Sequence, residues 1–391
     1  MAVYAAAHLR GLRMIVAGGG TGGHTYPALT TIRALRDRLA AAGTEPDVRW
    51  VGVAHGLEAR IARQEGIPFT AITTGKLRRS PNLREWGRNV ADAFRVPLGI
   101  FQAIMIVVRT RPEVVFSTGG YVSVPIGIAA WLTRRPLVMH EQILTLGLAN
   151  RILARLADRV LLSHESSIDH LPAGARTRAV VTGNPIRPEI LTGNRNRALA
   201  AFHLDPRLPL VYVTGGAQGA VQVNNLIADS LPGLLPRCQV LHQCGDYSLG
   251  RMRQVAAALP EHLRSRYRVV DYVHGELPDV LSAADIVVAR SGAGTVAELT
   301  ALGKACVLVP LIPTGGDEQR RTAQHLADAG ASRMLAGPEA SANRLYEEIM
   351  VLLDHPERRQ KLANAARQHG RPHAATAVAS AIIDAAGRCR P

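Results

Sequence analysis

Cysteine is scarce in this chain, and its four cysteines do not form a metal-binding pattern. Cys238, Cys244, Cys306 and Cys389 make no CxxC pair, and no histidine stands near them at the spacing that zinc requires. The sequence therefore predicts no metal site, and a reducing cytoplasm is the simplest setting for the protein.

Long apolar runs are also lacking. The longest, Pro97 to Val108, is interrupted by Gln102 and is well short of the roughly 20 residues that a membrane-spanning helix needs. The N-terminal stretch MAVYAAAHLRGLR is basic but has no sustained apolar core, so we expect no signal peptide, and Met14 is an alternative start. These absences predict a protein without a membrane span.

Aromatic residues are few, at 4% of the 391 residues, and charged residues make up 20%. Aliphatic residues dominate, which is typical of a soluble, alanine-rich α/β protein and excludes a disordered chain. The length suffices for two domains, each with its own core.

Acidic residues are the scarcer charge. The chain has 31 of them against 46 basic residues, mostly arginine, and a formal net charge of +15. Such a surface attracts polyanions, and nucleic acid, anionic lipid or a phosphorylated substrate would each satisfy that attraction. Charge alone does not choose among these partners.

Short apolar runs alternate with amphipathic helical stretches along the whole chain. Strand-like runs in the first half are RMIVA, DVRWVGV, EVVFS, PLVMH, RVLLS and AVVTG. After a proline-rich bend, GNPIRPEI, the pattern restarts with PLVYVTGG, QVLHQCG, YRVVDYV, DIVVARSG and ACVLVP. The alternation predicts an α/β fold of two doubly wound, Rossmann-like domains, 1–185 and 186–365, facing a central cleft. A C-terminal helix over 366–391 is expected to pack back toward the first domain.

Glycine clusters follow strands in both halves. GGGTGGH (Gly18 to His24) opens the first half, LVYVTGGAQGA opens the second, and STGGYVSVP, RSGAGTVAEL and PTGGDEQ follow later strands. A glycine turn that opens a helix aims backbone N–H groups at an anion, so phosphate or pyrophosphate is the natural ligand. A tight turn that serves packing alone is the alternative. No acidic residue closes the second strand, which disfavours a nicotinamide cofactor.

Six spaced motifs together resemble the MurG family: GGTGGH, GGYVS, HEQ followed by GLANR, GNPIR, GGAQGA and SGAGTVAE. That family consists of inverting GT-B glycosyltransferases of bacterial cell-wall synthesis. The resemblance implies transfer of GlcNAc from UDP-GlcNAc to lipid I, undecaprenyl-pyrophosphoryl-MurNAc-pentapeptide, to give lipid II. It also implies a peripheral position on the cytoplasmic face of the cell membrane, with neither a cofactor nor a metal.

The resemblance assigns ligand contacts as well. Donor-binding residues would be Thr21, Gly22, Gly23, Arg187, Ala217, Gln218, Tyr272, Val273, Gly292, Ala293, Gly294, Thr295, Glu298 and Gln319. Acceptor-binding residues would be Gly19, Gly20, Tyr121 and His140. Glu298 would hold the ribose, because a carboxylate can accept two hydrogen bonds from a diol. A solvated first-turn glutamate that suits the helix dipole is equally consistent with its position.

Inversion requires a base for the acceptor hydroxyl and a positive environment for the leaving diphosphate. His24 is the first candidate for the base; a histidine that donates to phosphate or backbone at the helix start is the alternative. Glu141, oriented by His140, is the second candidate, unless the two form only a buried pair at the sheet edge. Arg187 and helix ends would supply the positive charge, and no DxD metal motif occurs among the cleft loops.

Several departures from the family pattern bear on the donor. Ile143 stands where the family motif HEQN has asparagine, Ala217 replaces a serine of the glycine loop, and Val124 replaces a glycine. Glu318 and Thr322 replace polar family residues around Gln319. One lost neutral hydrogen bond costs about 0.5–1.5 kcal/mol, which waters or neighbours can restore, so GlcNAc stays the expected sugar.

A basic and apolar segment, Gly75 to Arg95, is typical of peripheral docking on anionic lipid. The predicted membrane patch comprises Lys76, Leu77, Arg78, Arg79, Leu83, Trp86 and Arg88. A solvated helix face with its apolar residues in the core is the alternative. No nucleic-acid partner is expected, because no nucleic-acid module is present and the segment has a single tryptophan.

Three other functions stay open. The departures around the donor leave room for a related GT-B enzyme with an altered UDP-sugar donor. A UDP-sugar 2-epimerase could share the architecture but would not need the basic apolar segment. An inactive nucleotide-sugar-binding protein would bind UDP without turnover, and the departures around the donor would explain its inactivity.

Overall fold

The computed structural model describes residues 11–75, 83–311 and 317–388, with the backbone alone described over 83–94. The chain divides into two compact units. The first combines Met1–Pro185 with His373–Pro391, and the second is Ile186–Pro372.

The first unit is built on a seven-stranded parallel sheet with strand order β3-β2-β1-β4-β5-β6-β7. Its strands are β1 Arg13–Gly18, β2 Asp47–Gly52, β3 Phe69–Ala71, β4 Val114–Gly119, β5 Leu137–Glu141, β6 Arg159–Leu162 and β7 Ala179–Val181. Its helices are α1 Gly22–Ala40, α2 Leu57–Gln64, α3 Leu83–Thr110, α4 Ser123–Leu132, α5 Leu148–Leu156, α6 Ala173–Arg176 and, from the chain end, α16 Ala374–Ala386, with a 3₁₀ helix at Glu165–His170.

The central strands of this sheet are buried on both faces, as the continuous apolar runs of the sequence predict. Strand β1 lies between β2 and β4, with Val16 opposite Trp50 on one side and Phe116 on the other. The strand order therefore reverses between β1 and β4. In doubly wound sheets ligands bind at this reversal, beyond the carboxyl ends of the strands.

The C-terminal helix α16 belongs to the first unit. It packs along α1, and Val378 and Ile382 share a buried cluster with Ile32 and Leu35 of α1. The second unit ends at Pro372, so residues 366–372 lie with the second unit and the helix that follows lies with the first.

The second unit repeats the architecture with a six-stranded parallel sheet, in the order β10-β9-β8-β11-β12-β13. Its strands are β8 Leu210–Thr214, β9 Gln239–Gln243, β10 Tyr267–Val270, β11 Ile286–Ala289, β12 Cys306–Leu308 and β13 Arg333–Met334. Its helices are α7 Arg195–Ala201, α8 Val221–Leu234, α9 Asp246–Ala258, α10 Glu261–Arg264, α11 Leu277–Ala283, α12 Ala293–Leu302, α13 Glu318–Asp328, α14 Ala342–Asp354 and α15 Pro356–His369, with 3₁₀ helices at Pro188–Thr192 and Gly337–Glu339.

Here the strand order reverses between β8 and β11, so the second unit has its own reversal point. The glycine loop after β8 and the small-residue loop after β11 both lie at the carboxyl ends of these neighbouring strands. Two doubly wound parallel sheets are what the sequence predicts. Of the helices in the described part of the chain, none combines the length and the apolar character needed to cross a membrane.

Candidate active site

The glycine loop of the first unit lies over a buried carboxylate. Glu58, near the start of α2, accepts hydrogen bonds from the backbone N–H groups of Gly20 and Val53, both at 3.1 Å. A Cβ atom on Gly19 would lie 2.3 Å from the carboxyl carbon of Glu58, so the loop can pass only without a side chain there. The N–H of Gly20 is therefore occupied within the protein. Glu58 is not among the site residues that the sequence predicts.

A second glycine loop, after β4, packs directly against the first. A Cβ atom on Gly120 would lie 2.5 Å from the carbonyl oxygen of Gly19, and Gly120 has a φ of +84°, which favours glycine. The ring of Tyr121 lies beside Gly20, within 3.0 Å of where a Cβ would stand. The structure thus brings together Gly19, Gly20 and Tyr121, three of the predicted acceptor residues.

His24, in the first turn of α1, is held by two oxygen acceptors. Its Nδ1 lies 2.8 Å from the carbonyl oxygen of Thr118 and 2.9 Å from Oε1 of Gln142. Because both are acceptors, Nδ1 carries the ring proton and Nε2 keeps its lone pair. Burial lowers the pKa of His24, although the hydrogen bonds to Gln142 and Thr118 act in the opposite direction. His24 is therefore neutral at pH 7, with Nε2 able to accept a proton.

The orientation of Gln142 follows from a chain of hydrogen bonds that starts at the backbone. The carbonyl of Gly183 can only accept, so His140 donates to it from Nε2 at 2.8 Å. Burial lowers the pKa of His140 to about 4, so this ring is neutral and its Nδ1 accepts from Nε2 of Gln142 at 3.1 Å. The amide oxygen of Gln142 must then face His24. The sequence analysis quoted Gln142 in the HEQ motif but gave it no role.

His140 itself is fully buried, and both of its ring nitrogens are used inside the protein. This geometry suits a residue that orients Gln142 better than one that contacts the acceptor.

Glu141, the second candidate for the base, is buried and committed to its own loop. Its Oε1 accepts from the backbone N–H groups of Gln142 and Ile143, at 3.0 and 3.2 Å, and its Oε2 accepts from Asn150 at 2.9 Å. Burial raises the pKa of Glu141 to about 7, while these hydrogen bonds lower it. The carboxylate fastens the loop between β5 and α5, and the geometry favours His24 as the base.

In the second unit, Arg187 and Glu298 form an ion pair. Nη2 and Nε of Arg187 donate to the same carboxylate oxygen, Oε1, at 3.0 and 3.3 Å. Burial raises the pKa of Glu298, and Arg187 opposes that effect. Burial lowers the pKa of Arg187, but Glu298 together with Tyr272 and Glu189 more than offsets this, so the pKa of Arg187 is raised. The two predicted donor residues are thus in contact; Arg187 immediately precedes the 3₁₀ helix Pro188–Thr192, and Glu298 lies on α12.

The predicted diphosphate contacts lie at the start of α12, where Gly292 is the N-cap and Ala293, Gly294 and Thr295 form the first turn. Before it, the hydroxyl of the buried Ser291 donates to the backbone carbonyl of Gln319 at 2.8 Å. Oε1 of Gln319 accepts from the N–H of Leu311 at 3.0 Å. Gln319 is therefore tied to the α12 loop by its backbone, and its side-chain amide lies next to the end of β12.

Tyr272 and Val273, the predicted uracil contacts, follow β10. Val273 is buried, and its backbone N–H donates to Oε1 of Gln243 at 3.0 Å. The backbone group of Val273 that could contact the uracil ring is therefore its carbonyl. Tyr272 is half-buried, with its ring 4.9 Å from the ring of His274 in an edge-on arrangement. Ala217 and Gln218, at the tip of the β8 glycine loop, are exposed.

Both halves of the chain match models of one family. Residues 14–162 match the glycosyltransferase family 28 N-terminal domain, and residues 210–378 match the glycosyltransferase family 28 C-terminal domain. The chain belongs to glycosyltransferase family 28.

Individual relatives within and around family 28 refine this result. A Bacillus cereus protein named UDP-N-acetylglucosamine–N-acetylmuramyl-(pentapeptide) pyrophosphoryl-undecaprenol N-acetylglucosamine transferase 2 is 36% identical over 347 residues, which is 88% of this chain and 92% of that protein. The crystal structure of Acinetobacter baumannii MurG matches with a TM-score of 0.73 at 26% identity, over 95% of this chain and 98% of that one. The resemblance to MurG and the predicted GT-B fold class are confirmed.

UDP-GlcNAc 2-epimerase from Neisseria meningitidis, solved with UDP-GlcNAc bound, also matches, with a TM-score of 0.66 over 95% of this chain and 99% of that one. Its sequence is only 15% identical, so this likeness shows a common fold alone.

The departures from the family 28 pattern differ in their surroundings. The hydroxyl of Thr322 donates to the carbonyl of Glu318 at 2.9 Å within α13, and Thr322 is buried. Ile143 is half-buried, next to the loop that Glu141 fastens. Thr322 thus completes the inner face of a helix, whereas Ile143 keeps part of its surface open.

Of the predicted membrane patch, Lys76, Leu77, Arg78 and Arg79 lie outside the described residues. Leu83, Trp86 and Arg88 fall on the first turns of α3, where the side chains lie outside the described part.

Proposed function

We propose that this protein transfers GlcNAc from UDP-GlcNAc to lipid I with inversion, giving lipid II. The observation that carries the proposal is the match to a transferase of that name at 36% identity over 88% of the chain. The geometry of His24 supports it, because a neutral imidazole with a free Nε2 lone pair is what an inverting transferase needs from its base.

In the proposed step, the acceptor hydroxyl oxygen forms a bond to the anomeric carbon of the donor sugar as the bond to UDP breaks. The hydroxyl proton passes to Nε2 of His24, and the electron pair of the breaking bond leaves on the diphosphate. The hydrogen bonds from Nδ1–H to Thr118 and Gln142 stabilise the imidazolium that forms, because a positively charged ring is a stronger hydrogen-bond donor than a neutral one.

The donor is proposed to bind the second unit. Glu298 would accept from the ribose diol through the carboxylate that Arg187 already orients at 3.0 Å. The helix start at Gly292 to Thr295 would face the diphosphate with its backbone N–H groups, as positive helix ends do for phosphates. The other donor contacts proposed in this unit are Ala217, Gln218, Tyr272, Val273 and Gln319.

Peripheral docking on the cytoplasmic membrane face is the proposed setting for the lipid acceptor. Helix α3 exposes Leu98, Phe101 and Val108. At 100° per residue these positions lie within one quarter of the helix circumference, so they form a single apolar stripe on the helix whose first turns carry Leu83, Trp86 and Arg88 of the predicted patch.

Transfer of radiolabelled sugar onto a short-chain lipid I analogue tests the function, with UDP-GlcNAc, UDP-Glc and UDP-GalNAc as competing donors. We expect selective GlcNAc transfer by the parent and transfer at least about 10²-fold slower by a His24→Ala variant. Transfer from another donor would mean that Ile143 and its neighbours record a changed sugar preference.

Incubation with UDP-GlcNAc alone completes the test. Conversion to the 2-epimer would assign an epimerase, and UDP binding without any conversion or transfer would assign an inactive binding protein.

A further inference from the structure

Gln243, the last residue of β9, is a buried amide with partners on β8, in the loop after β8 and in the segment after β10. Its Oε1 accepts from the backbone N–H of Val273, at 3.0 Å, and from the hydroxyl of Tyr212, at 3.2 Å. Its Nε2 donates to the carbonyl of Gly216 at 3.0 Å and to the hydroxyl of Thr214 at 3.1 Å. All four of these hydrogen bonds converge on one side chain that is only 3% exposed.

Two of these partners, Gly216 and Val273, belong to different loops. Gly216 is in the glycine loop that follows β8, and Val273 is in the segment that follows β10. Strand β9 lies between β8 and β10 in the sheet, so a side chain at its carboxyl end is placed to join the loops on either side. Gln243 is therefore a bridge across the carboxyl edge of three adjacent strands.

The bridge requires an amide. It needs an acceptor toward Val273 and a donor toward Gly216 at the same time, and both must come from one short neutral group. A carboxylate offers no donor, and an ammonium or guanidinium offers no acceptor. A charged side chain at this buried position would in addition cost free energy of desolvation.

Close backbone packing fixes the glycine loop where Gln243 reaches it. A Cβ on Gly219 would lie 1.9 Å from the carbonyl oxygen of Cys244, and a Cβ on Gly245 would lie 2.2 Å from the carbonyl oxygen of Gln218. The loop thus rests directly on the residues that follow Gln243. A shift at the end of β9 is transmitted to Gln218, a predicted donor contact.

We propose that Gln243 is a positioning residue for UDP: it holds the glycine loop after β8 and the Tyr272–Val273 segment at the separation that the diphosphate and the uracil require. The inference rests on the proposed function, because it takes both loops as parts of the donor site. Gln243 does not contact the ligand in this account and acts through Gly216 and Val273.

A matched control exists on the same strand. Gln239, the first residue of β9, is 1% exposed, and its side chain makes three hydrogen bonds, all to the backbone of Asp205 and Leu208. It lies at the amino end of the strand, at the opposite edge of the sheet from the candidate donor site. Replacing either glutamine removes a buried amide from β9, but only Gln243 joins the two loops.

The experiment compares Gln243→Leu with Gln239→Leu in the full chain, measuring UDP binding by calorimetry and the thermal midpoint of each protein. We expect both variants to lose thermal stability. Gln243→Leu should weaken UDP binding at least about tenfold, equivalent to about 1.4 kcal/mol, and Gln239→Leu should leave it within about twofold. Steady-state assays should show the KM for UDP-GlcNAc rising in Gln243→Leu while kcat at saturating donor changes little.

If both variants bind UDP as tightly as the parent, or if both lose UDP affinity to the same extent, the positioning role is overturned. The proposed function would stay intact in either case. A parent protein that does not bind UDP would instead refute the donor site as a whole. If Gln243→Leu fails to fold, the pair Gln243→Asn and Gln239→Asn gives the same comparison, since the shorter amide can reach one neighbour but not both.

Discussion

Replacing Glu298 by alanine tests the donor site most directly. Both contacts from Arg187 go to Oε1 of Glu298, at 3.0 and 3.3 Å. A carboxylate in this position that also accepts from a ribose diol gains two charge-assisted hydrogen bonds, each worth about 1.5–3 kcal/mol. Losing both costs about 3 kcal/mol at the lower end, so the Kd for UDP should rise on the order of 100-fold.

Stability should change far less than affinity. The side chain of Arg187 is 39% exposed, and an ion pair with such an accessible partner contributes about 0–1 kcal/mol. Glu348 provides the control: its side chain has the same 17% exposed fraction as that of Glu298, and it pairs with Arg333 at 3.2 Å. Glu348→Ala should shift the thermal midpoint by a similar amount and leave UDP affinity unaltered.

Calorimetric titration with UDP separates the two effects. Glu298→Ala with a UDP affinity within about threefold of the parent would refute the ribose assignment. A comparable loss of affinity in Glu348→Ala would trace the effect to weakened folding and not to a ligand contact.

Four further outcomes are expected. His24→Ala should lower kcat about 10²–10⁴-fold with little change in UDP affinity. Burial lowers the pKa of His24 from its ordinary 6.5, so the imidazole stays neutral below that pH. As the pH is lowered, kcat should therefore begin to fall only under pH 6.5. A fall of kcat that begins above pH 6.5 would contradict the assignment of His24 as the base. Phe101→Ser should reduce binding to anionic vesicles about tenfold, since burying one aromatic ring is worth about 1.5–3 kcal/mol. The same variant should transfer sugar to a water-soluble acceptor as fast as the parent. Unchanged vesicle binding would place the membrane contact elsewhere. Gly19→Ala places a Cβ 2.3 Å from the carboxyl carbon of Glu58 and should cost about 1–3 kcal/mol in urea unfolding, whereas Gly147→Ala, with open space around its Cβ, should not.

The sequence predicts the two sheets well because most of their strands are short, continuous apolar runs between helical stretches. Six strands of the first sheet and five of the second coincide with runs identified from the sequence. The two strands that were missed are β3 Phe69–Ala71 and β13 Arg333–Met334, at the sheet edges. At three and two residues they are too short for any periodicity to appear, and only pairing with a neighbour makes them strands.

The candidate site was predictable in its glycines and less so in its supporting side chains. Glycine clusters after strands mark loops at the carboxyl edge, which local sequence is enough to show. The role of Glu58 depends on Gly19 and Gly20, which are 38 residues or more away along the chain, and no local pattern announces that contact. The orientation of Gln142 likewise depends on Gly183, through His140. Long-range hydrogen bonds are what sequence patterns do not encode.

Synthesis on the ribosome delivers the first unit in two parts. Residues 1–185 emerge early, but the helix Ala374–Ala386 that packs along α1 emerges only after the whole second unit. Until then Ile32 lacks the partner side chain of Ile382 in its buried cluster. The second unit, whose residues are contiguous, can therefore complete its core first. The nascent first unit meanwhile keeps an apolar helix face exposed, which is a surface of the kind that chaperones bind.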